Sequence, residues 1–149
     1  MNRHQTPKEI EAKLKDGLRQ KGYKLTTQRL EVIKFLASCR SHPGAMDILS
    51  ELRKKTPSIS MSTVYYTLDL LKKEGLIKEL EFYDRENRYD INISDHFNLI
   101  CRKCGKIEDF MKPLPFSAKA IESKTGFRPL GVRLELYGYC KDCKGREQK

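Results

Sequence analysis

Two pairs of cysteines are the residues best suited to do chemistry in this chain. Cys101 and Cys104 form one Cys-x-x-Cys pair, and Cys140 and Cys143 form another. Two intervening residues allow both thiolates of one turn to reach the same ion, and two such turns supply the four ligands of a closed tetrahedral Zn²⁺ site. The spacing therefore predicts a structural zinc that ties the last strand to the start of the C-terminal domain.

Other states of these cysteines stay open on the sequence alone. The four thiols could form two reducible disulfides or remain free, and one pair could serve a redox enzyme of the thioredoxin type. A redox site of that type needs one pair near a βαβ pattern and has no use for a second. The N-terminal residues show no apolar export signal, so we expect a cytoplasmic protein with reduced cysteines, which favours zinc over disulfides.

The charge balance of the chain is strongly positive. Its 149 residues include 30 basic and 20 acidic side chains, which give a formal net charge of +10. Such a balance predicts a polyanionic partner, most simply nucleic acid, although a lysine-rich solvated surface is the alternative. No apolar run approaches the roughly 20 residues of a membrane span, so we expect no membrane partner.

The first 90 residues show four helical patterns followed by a hairpin pattern. The predicted helices are 7–20, one capped by Thr26 or Thr27, one through 46–52 that ends before Pro57, and one from a Ser60 or Ser62 cap to Glu74. Period-two alternation over 76–82 and 88–91, about the polar turn 84–87, predicts the hairpin. Short helices followed by a hairpin predict a winged helix-turn-helix domain over residues 1–90.

The fourth helix is the candidate recognition helix, because it is the second helix of the helix-turn-helix pair. Hydroxyls on its outer side can meet phosphates or base edges, and a tyrosine ring can pack on a thymine methyl. The predicted DNA contacts on this helix are Ser60, Ser62, Thr63, Tyr65, Tyr66 and Thr67. Arg85 and Arg88 of the hairpin could reach phosphate or the minor groove. The alternative is a helical protein-interaction module with an ordinary polar face.

The second part of the chain, residues 91–149, has the pattern of a small α+β domain. Strands are predicted over 96–100, 106–110 and 132–137, and a helix over 116–125. A sheet this small buries little on its own, and an unpaired edge can pair with a second copy, so we expect a homodimerisation domain. The predicted fold is thus α+β, with a winged-helix DNA-binding domain before a dimerisation domain that holds the Cys₄ zinc. Cys39 is predicted to lie inside the second helix, in the core.

Five segments of the chain resemble, in order and spacing, the ferric uptake regulator family. They are Leu25-Thr26-Thr27-Gln28-Arg29, Ser62-Thr63-Val64-Tyr65, Ser94-Asp95-His96, Cys101-x-x-Cys104-Gly105-Lys106 and Leu136-Tyr137-Gly138-Tyr139-Cys140-x-x-Cys143. The resemblance covers nearly the whole chain and implies a dimeric, metal-responsive repressor that binds double-stranded operator DNA. It also implies that Tyr65 sits at the DNA bases and that Arg29 approaches the DNA backbone.

Within that family the chain most resembles the peroxide-responsive branch, which holds a regulatory metal on three His and two Asp residues. The matching positions are His42, Asp90, His96 and Asp109, whereas Asn98 stands where the branch has a histidine. Imidazole and carboxylate ligands together suit Fe²⁺, Mn²⁺ or Zn²⁺. The amide oxygen of Asn98 could be a weaker ligand, or Asn98 could leave an open position.

The predicted elements distribute these ligands over both halves of the chain. His96 and Asn98 are two residues apart on a predicted strand and so share a face, and Asp109 on the next strand can meet them. His42 lies in the first half and Asp90 at the hinge. A metal held by all of them would join the halves and set the spacing of the recognition helices.

The resemblance, together with these candidate ligands, implies a peroxide-sensing repressor without enzymatic activity, in which Fe²⁺ or Mn²⁺ closes the dimer onto operator DNA. Fe²⁺ held by His42 and His96 could generate an oxidant from peroxide that modifies a ligand histidine. Asp109 agrees with this prediction, because in the family Glu at that position is more typical of iron sensors. One alternative is an iron- or manganese-responsive repressor of metal uptake genes. Another is a constitutive DNA binder whose regulatory site has degraded at Asn98.

Overall fold

A computed structural model describes residues 5–146, which form helices and short strands in two compact units that divide between Ile93 and Ser94. The elements in chain order are α1 (Pro7–Gln20), α2 (Thr27–Ser38), α3 (Ala45–Arg53), α4 (Met61–Lys73), β1 (Lys78–Leu80), β2 (Arg88–Asp90), β3 (Phe97–Cys101), β4 (Ile107–Phe110), α5 (Ala118–Thr125) and β5 (Glu135–Gly138). The predicted α+β class is confirmed. Within residues 5–146, no helix has both the length and the apolar character needed to span a bilayer.

Side-chain caps start the helices of the first unit. Thr6 and Glu9 form a reciprocal capping box at α1, in which each side chain accepts the other residue's backbone N–H. Thr26 caps α2 and Ser60 caps α4, so the structure selects one residue from each predicted pair of alternatives. Each cap satisfies an N–H group that the helix itself leaves without a partner.

The apolar faces of the four helices pack into a single core in the first unit. The largest fully buried apolar side chains are Leu14, Leu18, Val32, Ile33, Leu36, Ile48, Ile59, Val64, Leu68 and Leu71. Apart from Ile59, which lies between α3 and α4, these residues lie on the inward-facing stripes of the helices. Because α4 contributes its inner face to this core, its opposite face stays exposed.

The hairpin of the first unit is shorter than predicted. Strands β1 and β2 pair antiparallel, with Lys78 opposite Asp90 and Leu80 opposite Arg88. Gly75 has a φ of +68°, and the N–H of Leu76 donates to the carbonyl of Leu71 at 2.9 Å. This bond closes the C-terminal turn of α4, so residue 76 completes the helix instead of beginning the strand.

The second unit has a three-stranded sheet in the order β4-β3-β5. The central strand β3 pairs antiparallel with β4 and parallel with β5, which spans 135–138 instead of the predicted 132–137. Among the described residues of this unit, the buried apolar side chains are Ile100 and Ile107, together with two cysteines, and α5 buries no residue. So small a core needs further cross-links or a partner surface to be stable.

Candidate functional site

The four paired cysteines converge at one end of the sheet in the second unit. Cys101 ends β3 beside Gly138 of β5, and the N–H of Arg102 donates to the Gly138 carbonyl at 2.8 Å. The parallel pairing therefore places the turn after β3 next to the turn after β5. The four cysteine sulfurs all lie within 4.8 Å of one another, and those of Cys104 and Cys140 are 3.7 Å apart.

This geometry fits zinc and not a disulfide. A tetrahedral site with Zn–S bonds of about 2.3 Å has sulfurs about 3.8 Å apart, whereas a disulfide bond is about 2.05 Å long. All five cysteines lie in the described residues, and none forms a disulfide. The structure confirms the predicted Cys₄ site as one suited to a structural Zn²⁺.

The electrostatics of the cysteine cluster also favour a bound cation. Backbone N–H groups of Cys104 and Cys140 lower the pKa of the Cys101 thiol to about 6. Burial, together with the neighbouring thiols, raises the pKa of Cys143 to about 12. One thiolate is thus readily formed, but four can coexist only when a cation offsets their charge.

The prediction for the fifth cysteine, Cys39, is wrong. Cys39 is the C-cap of α2 with an extended backbone, and its side chain is half-buried. Its sulfur lies 3.2 Å from the hydroxyl oxygen of Ser41. The helix ends one residue earlier than the prediction requires, so the side chain leaves the inward-facing stripe.

Two other predicted metal ligands, His42 and Asp90, meet in the first unit. Their side chains are buried, and Nε2 of His42 lies 3.5 Å from Oδ2 of Asp90. The other carboxylate oxygen of Asp90 accepts the N–H of Asn92 at 2.7 Å. That bond fixes the carboxylate so that Oδ2 is the atom presented to the imidazole.

Strand β2 holds the loop that carries His42. The N–H of Tyr89 donates to the Pro43 carbonyl at 2.9 Å, and Nη1 of Arg88 donates to the His42 carbonyl at 3.1 Å. Gly44 also forms an isolated antiparallel bridge with Arg88. The same short strand therefore supplies one ligand, Asp90, and positions another.

The position of Arg88 differs from the predicted wing contact with DNA. Besides the His42 carbonyl, its guanidinium lies 3.5 Å from Oδ2 of Asp47. Alternate residues of a strand share a face, so Arg88 points to the same side as Asp90, towards the His42 loop. The period-two pattern contains this signal, which the prediction did not use.

The second unit brings together the remaining ligands predicted on its strands. Nε2 of His96 lies 3.3 Å from Oδ1 of Asp109, and Nδ1 of His96 lies 2.8 Å from the Ser94 carbonyl oxygen. A carbonyl only accepts, so Nδ1 carries the proton and Nε2 is the ring nitrogen that keeps its lone pair. A carbonyl bonded to the second ring nitrogen is the usual orienting partner of a metal-binding histidine.

Asn98, the departure from the branch, lies directly opposite Asp109 in the β3–β4 register. The prediction that Asp109 can meet residues of the preceding strand is thus confirmed. Each of the two His–Asp pairs offers an imidazole nitrogen and a carboxylate oxygen, which are ligands for Fe²⁺ or Mn²⁺. The donor sets therefore fit the regulatory metal expected from the sequence.

Two of the predicted DNA contacts, Tyr65 and Tyr66, have large side chains on the exposed face of α4. Tyr65 and Tyr66 are 41% and 54% exposed, and Ser62 is also exposed. The hydroxyls of Ser60 and Thr63 are occupied at the start of the helix, where Ser60 accepts the N–H of Thr63 at 3.1 Å. The tyrosine rings are thus the largest groups that this surface offers to a partner.

The prediction that Thr67 faces DNA is wrong. Thr67 is fully buried, and its hydroxyl donates to the carbonyl of Thr63 at 2.8 Å. Position 67 lies three residues after Val64 and beside Leu68, which places it on the inner face of α4.

The N-terminal ends of α2 and α4 are joined by side-chain contacts that the sequence did not reveal. The hydroxyl of Thr63 donates to Oε1 of Gln28 at 3.2 Å, and the guanidinium carbon of Arg29 lies 5.0 Å from the centre of the Tyr66 ring. Arg29 also donates to the Lys24 carbonyl. No spacing along the chain indicates a contact between residues 29 and 66, because it depends on how the two helices pack.

Arg85, the other predicted wing contact, lies in the hairpin loop. Its guanidinium makes two hydrogen bonds of 3.2 Å to the carboxylate of Asp84, and its Cζ lies 5.6 Å from the centre of the Phe82 ring. The loop is closed by a hydrogen bond from the N–H of Phe82 to Oδ1 of Asn87. Asp84 thus offsets part of the charge that Arg85 offers to DNA.

The first unit is a winged helix-turn-helix that contains one His–Asp pair. The second unit is a small sheet that carries the Cys₄ cluster and the other His–Asp pair. Together these features define a metal-binding transcription factor. The sequence profile of the ferric uptake regulator family matches residues 20–137. The chain belongs to this family. The comparisons thereby confirm the predicted family and the predicted class, a metal-dependent DNA-binding repressor.

This chain is similar to several regulators, in sequence to some and in structure to others. The peroxide-responsive repressor PerR of Staphylococcus epidermidis is 41% identical over 129 residues, which cover 86% of each chain. The peroxide operon regulator of Bacillus subtilis is 38% identical over 133 residues, covering 89% of this chain and 92% of the regulator. The structure of the Helicobacter pylori ferric uptake regulator matches with a TM-score of 0.73 at 29% identity, covering 99% of this chain and 100% of that regulator.

Proposed function

We propose that this protein is a metal-dependent transcriptional repressor that senses peroxide, and that it acts in the cytoplasm as a regulator rather than an enzyme. The observation that carries the proposal is a set of two His–Asp contacts: His42 with Asp90, both of which are buried, and buried His96 with the more exposed Asp109. Its similarity to peroxide-responsive repressors supports the sensing role. Reduced thiols in the Cys₄ site agree with a cytoplasmic setting.

In this proposal, residues 1–90 bind operator DNA and residues 91–149 form the homodimer. The exposed tyrosines of α4 and the basic charge of the chain support the first role. The second role is supported by large apolar side chains left exposed in the second unit. They are Phe110, Met111, Phe116, Phe127, Leu130, Leu136, Tyr137 and Tyr139. A second copy could cover them and pair with a free sheet edge.

We further propose that a single Fe²⁺ or Mn²⁺ is held by both His–Asp pairs and by Asn98. The first unit supplies one pair and the second unit the other, so an ion bound by both would favour the arrangement in which they meet. A ligand shifts a conformational equilibrium only through its different affinity for the two states. Repression would then depend on metal because only the metal-joined arrangement sets the spacing of the recognition helices.

Oxidation of a ligand histidine would reverse this effect. A bound Fe²⁺ would supply the one-electron chemistry that cleaves the O–O bond of peroxide, with no net change in its own oxidation state. Overall, one oxygen atom of peroxide is inserted at an imidazole carbon of His42 or His96, and water is released. The modified ring is a poorer ligand, so the arrangement that binds DNA loses its stabilisation.

Operator binding by the zinc-loaded protein tests the function directly. Fluorescence anisotropy would be measured anaerobically without added metal, with Fe²⁺ and with Mn²⁺. We expect at least a tenfold gain in affinity, about 1.4 kcal/mol, with either metal. No gain beside already tight binding, with one zinc per chain by metal analysis, would contradict metal dependence and indicate the constitutive binder. A second zinc per chain would instead mean that zinc already fills the regulatory site. The observation that favours a constitutive binder is that position 98 carries asparagine, where the peroxide-responsive branch has a histidine ligand.

Mass spectrometry separates peroxide sensing from simple metal sensing. The Fe²⁺-loaded protein should gain one oxygen atom on a peptide containing His42 or His96 after peroxide treatment, and should then release its operator. Protein without Fe²⁺ is the control. Release of DNA only on metal removal, with unmodified histidine peptides, would instead identify a repressor that reads iron or manganese supply for metal uptake genes.

A further inference from the structure

The side chain of Asn98 has a buried oxygen whose role the fold does not explain. Asn98 is only 6% exposed, and its Oδ1 finds no hydrogen-bond donor among residues 5–146. A buried acceptor without a partner destabilises a folded protein, so such atoms usually bind a ligand or water. An apolar residue of similar size would fill this position without that cost.

Two side chains near Asn98, those of His96 and Asp109, are of kinds that bind metals. Directly opposite residues of an antiparallel pair point to the same face, and Asn98 is opposite Asp109. His96, two residues earlier, directs Nε2 to Oδ1 of Asp109. The backbone N–H of Asn98 is already used, since it donates to the Leu134 carbonyl at 2.9 Å. The Asn98 side chain lies on the face of the sheet that carries Asp109.

We propose that Oδ1 of Asn98 is a metal ligand and that it biases the regulatory site towards Mn²⁺ and against Zn²⁺. This inference rests on the proposed regulatory site and concerns its selectivity. The second unit then offers one imidazole, one carboxylate and one amide oxygen. In the peroxide-responsive branch, by the resemblance described above, the amide is replaced by a second imidazole.

The bias follows from the chemistry of the two ligands. An amide oxygen is a hard, neutral donor, of the kind that suits Mn²⁺, whereas imidazole nitrogen is preferred by Zn²⁺ and other late divalent metals. Exchanging imidazole for amide therefore weakens Zn²⁺ binding more than Mn²⁺ binding. Because Zn²⁺ lies above Mn²⁺ in intrinsic affinity for most sites, a harder ligand set is one way for a protein to limit the wrong metal.

The test is metal binding to full-length protein with its Cys₄ site already filled by one zinc per chain. Anaerobic calorimetric titrations with Mn²⁺ and with Zn²⁺ would compare the natural chain with Asn98→His and Asn98→Leu. We expect Asn98→His to tighten Zn²⁺ binding at least about tenfold more than Mn²⁺ binding, a difference of about 1.4 kcal/mol. We expect Asn98→Leu to weaken Mn²⁺ binding at least about tenfold.

Two results would overturn the inference. Mn²⁺ affinity unchanged in Asn98→Leu would mean that the oxygen is not a ligand, and equal changes for both metals in Asn98→His would mean that it does not set selectivity. Asn98→Asp keeps an oxygen donor and should retain Mn²⁺ binding, which guards against a misfolded leucine variant. Thermal unfolding should be compared with the Cys₄ zinc in place and the regulatory site empty. Under these conditions the leucine variant should have a melting temperature equal to or higher than that of the natural chain.

A variant of the site itself distinguishes this inference from the proposed function. Asp109→Ala should abolish tight binding of both metals beyond the Cys₄ zinc. Unchanged metal binding in Asp109→Ala would overturn the regulatory site and the selectivity together. Metal loss in Asp109→Ala with no effect of the Asn98 substitutions would overturn the ligand role of Asn98 and the selectivity, and would leave the His–Asp ligands and the repressor proposal standing.

Discussion

The guanidinium carbon of Arg29, near the start of α2, lies 5.0 Å from the centre of the Tyr66 ring on the exposed face of α4. This cation–π contact joins a residue that the family resemblance assigns to the DNA backbone with a residue predicted to contact DNA. A charged side chain held on a ring loses less freedom on binding than one that moves freely in solvent. The pair thus offers a preorganised cation at the start of the recognition helix.

Removing the ring should weaken operator binding through Arg29. We expect Tyr66→Ala to cost about 0.5–2 kcal/mol of binding free energy, because Arg29 loses its platform. Fluorescence anisotropy with operator DNA measures the effect. Tyr66→Phe keeps the ring and should bind nearly as well as the natural chain. An equal loss in Tyr66→Phe would mean that the phenol hydroxyl, and not the ring, is what matters.

Tyr65, the neighbouring exposed ring, should contribute to sequence discrimination. We expect Tyr65→Ala to weaken operator binding by about 1–3 kcal/mol if the ring contacts a base. Binding to random DNA should change little, because nonspecific affinity comes mainly from phosphate contacts. Parallel titrations with operator and random duplexes would measure both. Equal losses on the two duplexes would show that Tyr65 touches only the DNA backbone.

Loss of one zinc ligand should destabilise the second unit. Cys101→Ser should remove the zinc, and the unit then depends on a core with few buried apolar side chains, so we expect a lower melting temperature and dissociation of the dimer. Metal analysis and analytical ultracentrifugation would report the two effects. Cys39→Ser is the matched control and should keep both zinc and dimer. A zinc-free Cys101→Ser dimer of normal stability would contradict this prediction.

An ion pair between α4 and the hairpin should make stability depend on pH. Nζ of Lys72 lies 2.5 Å from Oε2 of Glu79, and Oε1 of Glu79 accepts a hydrogen bond from the side-chain amide of Asn87. Burial opposes the charge of Glu79, but these bonds outweigh it and lower its pKa. A lowered folded pKa stabilises the protein above the ordinary glutamate pKa of about 4.5, and this stabilisation is lost as pH falls through the folded value.

Glu79→Gln should therefore lower the free energy of unfolding at pH 7 by about 0.5–1 kcal/mol, and the difference should vanish in acid. Chemical denaturation across this pH range would measure it. Glu51→Gln is the matched control, because Glu51 pairs with Lys54 at the same distance on the exposed surface of α3. Similar losses in both variants would contradict the special role of the hairpin contact.

The sequence alone predicted the features that depend on local spacing. Helix periodicity located α1 to α4, because the inward-facing residues of a helix recur at fixed steps and its caps lie at the ends. Two Cys-x-x-Cys pairs indicated the zinc site, since ligand spacing is set within single turns. The predicted strand pair also underlies the expectation that His96 and Asp109 meet, although the structure places His96 immediately before β3 and only Asp109 within a strand, β4.

Tertiary packing decided what local spacing could not. It brought the guanidinium of Arg88 to the His42 carbonyl and left Cys39 half-buried at the end of α2. These outcomes depend on which surfaces face one another, and residues far apart in the chain determine those surfaces. The contact of Arg29 with Tyr66 and the burial of the Asn98 oxygen have the same origin. The chain itself carries the ligands and the helices, but their packing decides which atoms remain available to metal and to DNA.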